Sequence, residues 1–321
     1  MAITFGPVPS RRLGRSLGIN NIPPKVCSYS CVYCQVGPTP SPQVVPRRIY
    51  NTDEIITAVA GHLDRLCAHG EQVDYLTIVP DGEPTLDADL EATIAALRRF
   101  GLPVAVITNG SLAWRPEVRD ALRAADWVSV KVDSVDEHIW RRVDRPHPAL
   151  RLARVLDGLR GLARGFPGRL VSETMLVAGL NDTASSVGEV ASFLAEIAVD
   201  TAYLAVPTRP PAVAGVHGPD TPKITRAYGQ FAAVLDDVEL LIGYEGDAFA
   251  VSGDARADLL SITAVHPMRA SAVDALLAGD HTDRRVLDAL VAERLLVPVD
   301  YEGERFFARR PVTAGTSGGK T

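Results

Sequence analysis

The chain has 321 residues and 34.4 kDa, with 46% hydrophobic and 22% charged residues, a globular composition that excludes a disordered, collagen-like or coiled-coil protein. It contains no apolar run of about 18 residues, the length a membrane-spanning helix needs. The opening MAITFGPVPSRR lacks the basic-then-apolar order of a signal peptide, so a cytoplasmic location is expected. The net charge of −6 is unevenly spread. Residues 1–52 carry Arg11, Arg12, Arg15, Lys25, Arg47 and Arg48 and no acid, leaving −12 on the remainder. A basic segment on an acidic body suggests an anionic ligand near the N-terminus; scattered surface arginines are the plainer alternative.

A strand-then-helix rhythm fills residues 15 to about 240. Strands are predicted at 16–20, 73–79, 102–107, 127–132, 169–177 and 200–206, the later ones apolar enough to be buried on both faces, as parallel strands are. Helices are predicted at 53–68, 87–99, 115–124, 147–163, 183–197 and 221–235. In the first, Ile55, Ile56, Val59, Leu63 and Leu66 share a face behind Thr52 as N-cap. Gly101 reads as a helix stop. Six such units in series predict an α/β fold, a partial (β/α)6 barrel, with Pro-rich loops at 38–46 and 207–222 available to cover its mouth. The rhythm then changes. Helices at 268–278 and 282–293 precede a hairpin turning at Glu302-Gly303, which suggests a small winged-helix-like α+β domain. Seven arginines against eight acids over 266–311 argue against duplex binding and for a packing or substrate-docking role. The expected domains are 1–245 and 246–311, with 312–321 a disordered tail.

Three of the four cysteines crowd into eight residues, Cys27-Ser-Tyr-Ser-Cys31-Val-Tyr-Cys34. Without a signal peptide this argues for metal rather than disulfides. A structural zinc site requires four ligands. A [4Fe–4S] cluster held by three thiolates leaves one iron without a protein ligand, free to bind a small molecule. Cys67 could complete a zinc site, but it falls inside a predicted amphipathic helix, where a small hydrophobic role is expected. Strand 127–132 and its end read Ser129-Val-Lys131-Val-Asp133, three polar side chains on one face of a buried strand. They are costly there unless they line a site. Lysine is scarce, four residues against 29 arginines, which singles out Lys131 for a carboxylate partner or a Schiff base, with a Lys131–Asp133 ion pair as the structural alternative.

With its aromatic Tyr33 before the third cysteine, the motif resembles the signature of radical S-adenosylmethionine (AdoMet) enzymes. Asp81-Gly82-Glu83-Pro84 after the second predicted strand resembles their Gly-Gly-Glu-Pro segment, with Asp in place of the first Gly, and Thr108-Asn109-Gly110 ends the third as in many members. The segments 6–18 and Leu260–Met268 narrow the resemblance to the Fe–S oxidoreductases related to wyosine-base synthases, which modify a tRNA guanosine. Residues 1–26 lack the cysteines of those synthases' second cluster. The resemblance implies a [4Fe–4S] cluster on Cys27, Cys31 and Cys34, and AdoMet chelating the open iron. It also implies reductive cleavage to a 5′-deoxyadenosyl radical, and a flavodoxin- or ferredoxin-like electron donor. Asp81, Gly82, Glu83 and Pro84 would supply acceptors for the AdoMet amino group, Tyr33 an adenine contact, and Thr108 and Asn109 contacts to its carboxylate or ribose. Ser129, Lys131 and Asp133 would line the site, with Lys131 and Asp133 as the catalytic candidates. Ser172 and Glu173 are candidates for the ribose, although adjacent strand residues face opposite ways.

The expected function is hydrogen abstraction from a substrate, with RNA suggested by the basic segment. Activation of another protein, modification of a small molecule, or a nucleic-acid-binding redox sensor are the alternatives.

Overall fold

The computed structural model describes residues 2–243, 246, 247 and 249–309; the expected domain boundary at 245/246 and the predicted tail 312–321 lie outside the described residues. An N-terminal hairpin, β1 (Thr4–Ser10) and β2 (Gly14–Ile19), opens an eight-stranded sheet. It continues in chain order through β3 (Tyr75–Ile78), β4 (Val104–Thr108), β5 (Trp127–Lys131), β6 (Arg169–Met175), β7 (Thr201–Ala205) and β8 (Val238–Leu241). β1 is antiparallel to β2, and every later pair is parallel. The six predicted strands are all present. β1 and β8 lie outside the predicted set: β1 contains two prolines, and β8 is only four residues long with a charged residue among them.

The strands are joined through helices α1 (Thr52–Ala68), α2 (Leu90–Leu97), α3 (Pro116–Arg123), α4 (Glu137–Val143), α5 (Leu152–Ala163), α6 (Ala184–Glu196) and α7 (Thr221–Ala232). Parallel strands require such crossovers, and the helices cover the outer face of the sheet. Ile55, Val59 and Leu66 of α1 pack there with Ile94, Leu122, Leu159 and Phe231. The N-cap of α1 is Asn51, not Thr52. Its side chain accepts from Asp53 N while Glu54 reaches back to the Asn51 N–H, a reciprocal cap. The 3-10 turn that follows α2 ends at Gly101, which takes φ 72°.

The inner face closes on itself. Tyr75, Ala105, Trp127, Val171, Tyr203 and Leu241 converge around Leu13 from the tip of the β1–β2 hairpin, which plugs the barrel at the amino ends of the parallel strands. The plug leaves the carboxyl ends open, where the βα loops meet.

The C-terminal module runs α8 (Ala255–Ile262), β9 (Met268–Arg269), α9 (Ala270–Gly279), α10 (Arg285–Ala292), β10 (Leu296–Tyr301) and β11 (Glu304–Arg309). Its sheet order is β10-β11-β9, with the predicted turn at Glu302-Gly303. Its core of Leu259, Ile262, Val273, Leu276, Leu290 and Phe307 also receives Val8 of β1, and Ala250 N donates to Pro7 O at 3.2 Å, so the module is fastened to the hairpin. The Tyr301 hydroxyl donates to Pro207 O at 3.2 Å in the loop after β7. Charges around α10 are paired, Arg284 with Asp274 and Arg285 with Asp283. Among the described residues no helix is long and apolar enough to cross a membrane.

One buried titrating group lies apart from the barrel mouth. His62 of α1 faces β1, with Nδ1 2.9 Å from Thr4 Oγ1 and Nε2 unpartnered. Burial, helped by Arg65 one turn on, holds its pKa down to about 4. A depressed histidine contributes stability that is full above the unfolded value near 6.5 and is lost as pH falls through the folded one. In urea denaturation the advantage of wild type over His62→Gln is therefore expected to shrink by about 3 kcal/mol between roughly pH 7 and pH 4.

A three-cysteine cavity at the barrel mouth

The cysteine loop leaves β2 and crosses the carboxyl ends of the strands. Its alternate residues are anchors. Tyr29 is buried under the loop, accepting from Trp140 Nε1 at 3.2 Å with the rings edge-on. Val32 packs with Val143 and Val177, and the amides of Ser30 and Val32 donate to Asp144 O and Val143 O at 3.0 and 2.9 Å. Cys27, Cys31 and Cys34 all line one cavity of about 330 Å3, with Tyr29 among its walls. Cys67 is exposed on α1 and outside the cavity's walls, so it cannot complete a four-cysteine zinc site there.

Burial pushes the Cys27 thiol up to about 12, with the Glu83 charge adding to it. Cys31 is raised well above the usual thiol range by burial and Asp144, and burial also raises Cys34, against the pull of Lys25. Metal ligation takes thiolates, so loading these three cysteines would release their protons. The donor chemistry fits a cluster with one open iron, three soft ligands on one loop and no fourth thiol on the wall, although among the described residues no three side chains already stand together as a metal-holding group.

The Asp81–Pro84 segment locks the loop to the sheet. Glu83 N donates to Val26 O at 2.9 Å, and a Cβ on Gly82 would lie 2.2 Å from that same oxygen, so only glycine allows the approach. Glu83 is 1% exposed and accepts four hydrogen bonds. Oε1 accepts from Thr85 N, Thr85 Oγ1 and Thr108 Oγ1 at 3.0, 2.5 and 2.6 Å, and Oε2 accepts from Asn109 N at 2.8 Å. It is a brace between the ends of β3 and β4, with one oxygen carrying three of the four bonds. Asn109 extends the brace. Its Oδ1 accepts from Ser111 N at 3.0 Å, and its Nδ2 donates to Ser28 Oγ at 2.9 Å and lies 3.7 Å from Cys27 Sγ. Asp81 faces Lys25 Nζ at 3.2 Å, a lysine that also donates to Gly37 O at 3.0 Å.

Across the cavity, Glu173 of β6 is gripped by both Lys131 and Arg12. Burial opposes its ionisation, but the two cations hold it down to about 2. Burial likewise works against the Lys131 ammonium, yet Glu173 and Asp133 outweigh it and the lysine is raised. Lys131 is thus a cation whose ion pair is with Glu173, which corrects the expected Lys131–Asp133 pair. Asp133 instead accepts from the Tyr33 hydroxyl and from Met175 N (2.7 Å) beneath the wall.

Of the predicted site residues, the structure brings Tyr33, Asp81, Gly82, Glu83, Thr108, Asn109, Lys131 and Glu173 to the cavity with the cysteines. Pro84, Ser129, Asp133 and Ser172 are not on its wall. Ser129 is buried below Lys131, and Ser172 points to the helix layer because Glu173 points inward; both hydroxyls lack partners. Arg12, Lys25, Gln35, Arg209 and His266 also reach the wall. Only charge and lysine scarcity hinted at Arg12 and Lys25. Arg209 comes from the second Pro-rich loop, and the first contributes Thr39.

The basic segment is not a free arm. Arg11 donates to Leu240 O at 3.4 Å, Arg12 pairs with Glu173, and Arg15 donates to Asp74 and Gln72. Lys25 pairs with Asp81, Arg47 with the Gln43 amide oxygen, and Arg48 with Asp89. Arg12, Arg15, Lys25 and Arg48 thus have acidic partners, whereas Arg11 and Arg47 contact neutral acceptors and stay exposed, keeping part of the positive excess.

Comparison with known proteins agrees with this geometry. The family profile of the Radical SAM superfamily matches residues 21–194. A UPF0026 protein of Methanocaldococcus jannaschii is 41% identical over 311 residues, 96% of each chain. A UPF0026 protein of Helicobacter pylori (strain 26695) is 34% identical over 211 residues, 65% of this chain and 67% of that one. Among solved structures, one of TYW1 with a lysine-pyruvate adduct bound superposes with a TM-score of 0.54 at 16% identity, over 69% of this chain and 74% of that one. A radical SAM methyltransferase from Sphaerobacter thermophilus gives 0.51 at 17%, over 71% and 66%. At such identities the structures attest the fold.

On anaerobic reconstitution, Cys27→Ala, Cys31→Ala and Cys34→Ala are each expected to fail to retain iron and acid-labile sulfide, whereas Cys67→Ala retains both. Metal analysis of the four variants checks the ligand set, and loss of iron from the Cys67 variant would contradict it.

Proposed function

The chain belongs to the radical SAM superfamily, and from that premise we propose that it cleaves AdoMet reductively and abstracts a hydrogen atom from a substrate held at the barrel mouth. The observation that carries this reading is the convergence of three loop thiols, and no fourth, on a cavity braced by Glu83 and Asn109. Cys27, Cys31 and Cys34 would hold a [4Fe–4S] cluster whose open iron takes AdoMet. When bound, that pair, fed by a flavodoxin- or ferredoxin-like donor, supplies the 5′-deoxyadenosyl radical.

The protein's own residues have separable tasks. The Asn109 amide aims an N–H at the Cys27 sulfur, and the backbone around Asp81–Pro84 offers acceptors for the AdoMet amino group. Lys131 and Arg12, two cations sharing one carboxylate, can draw a carboxylate of AdoMet or of substrate to that wall. Tyr33 lies beneath, its ring 5.5 Å from Lys131 Nζ. Leu13 and Val265 add apolar surface to the wall of this cavity.

The partial pairing of the N-terminal cations with Glu173, Asp74, Asp81 and Asp89 weakens the electrostatic motive for RNA without removing it, and the likeness to wyosine-base synthases stands beside it. The cavity of about 330 Å3 falls within the range of ligand sites, roughly 300–1,000 Å3, and is the place where AdoMet would meet its substrate.

Anaerobic protein reconstituted with iron and sulfide, then given dithionite and AdoMet, is expected to yield 5′-deoxyadenosine and methionine by chromatography. A full cluster with no 5′-deoxyadenosine would overturn the reading. Lys131→Met is expected to keep the cluster but weaken AdoMet binding by calorimetry about tenfold or more, the loss of one charge-assisted hydrogen bond.

A further inference from the structure

The wall of the cavity is not made by the barrel alone. Val265 and His266 reach it from the turn between α8 and β9 of the C-terminal module. Several contacts fix that turn. Gln35, the residue after Cys34, donates from Nε2 to Val265 O at 2.9 Å, and its Oε1 accepts from Arg209 Nη1 at 3.1 Å. Behind the turn, Arg309 of β11 donates to Leu260 O at 3.0 Å and to Thr263 O at 3.3 Å. The His266 ring meets Phe249 edge-on, with centroids 5.4 Å apart.

This scaffolding holds an imidazole at the cavity without occupying its nitrogens. Among the described residues none hydrogen-bonds the His266 ring, and neither nitrogen is among the fully buried atoms lacking partners. Burial, with Arg209 nearby, lowers its pKa well below the usual range, so the ring presents one N–H donor and one acceptor. The same cavity carries Arg12 and Lys131 on a single carboxylate, one positive charge in excess at that wall.

We propose that His266 is a substrate-contacting residue, and that the substrate is a small molecule whose carboxylate or phosphate group accepts the imidazole N–H. The C-terminal module is then a structural part of the active site, supplying the wall that distinguishes substrates. The inference rests on the reading of this cavity as the radical AdoMet site, and it adds the substrate class.

Imidazole nitrogen NMR on the reconstituted, AdoMet-bound enzyme tests it. The seven histidines give few signals, and His266 is assigned by its loss in His266→Asn. Titration with acetate and with inorganic phosphate is compared with chloride at matched ionic strength. A saturable shift of the His266 signal with acetate, phosphate or both, beyond that with chloride, is expected, and whichever anion produces it identifies the headgroup. In parallel, calorimetry on His266→Asn should show affinity for that anion reduced about tenfold or more. A His266 signal that responds to neither anion beyond chloride overturns the proposal, as does unchanged anion affinity in the variant. Formation of 5′-deoxyadenosine by the same wild-type sample separates the two failures. If AdoMet is cleaved while His266 stays silent, only the substrate assignment falls; if AdoMet is not cleaved, the functional reading falls as well.

Discussion

A single buried carboxylate fastens the cysteine loop to the barrel. Glu83 would be costly to bury as an ion without partners, and it has four donors, drawn from its own turn and from the end of β4. Each hydrogen bond to a charged group contributes about 1.5–3 kcal/mol. Removing the carboxylate would strand those donors in the interior as well as free the turn. Because the Glu83 amide also holds Val26 O, next to Cys27, the position of the first thiol is set by the sheet rather than by the loop. Asn109 repeats the connection one residue beyond β4, through Ser28.

The opposite wall follows another rule. There, Arg12, Glu173 and Lys131 form a line of charges in which one anion serves two cations. Arg12 reaches this line from the hairpin tip, crossing Tyr203 with its guanidinium 5.8 Å from the ring centroid, while its neighbour Leu13 fills the floor. The N-terminal hairpin therefore provides both floor and charge. One side of the cavity carries the carboxylates of Glu83 and Asp81 against Lys25, the other two cations on one carboxylate, and this asymmetry would orient anything that binds between them.

The sequence made the core legible where its signals were local and redundant. Parallel strands such as 104–108 announce themselves as apolar runs, and α1 by its periodic face. The cysteine spacing and Asp81-Gly82-Glu83-Pro84 marked the loop and its brace, though not that Glu83 would face inward to four donors. Strand alternation separated Glu173 from Ser172 once the register was known; before that, either could point inward. What stayed hidden depended on distant partners. Counting charges could not reveal that Arg12 would meet Glu173, 161 residues away, or that Gln35 and Val265 would be hydrogen-bonded across 230. β1 and β8 were hidden for a related reason, since edge strands are defined by their neighbours more than by their own composition.

The span of those contacts has a bearing on how the protein is made. Leu13 at the floor and His266 at the rim belong to one cavity, yet they are separated by most of the chain. Long-range closures of this kind are slow, because chain entropy is lost before the contacts that offset it are formed. During synthesis the parallel strands can assemble in order, each on the edge left by the last, but the chamber has no roof until residue 266 has emerged and docked against Gln35. Throughout that interval three thiols stand in an unfinished pocket, and no truncated product ending before the module can enclose them.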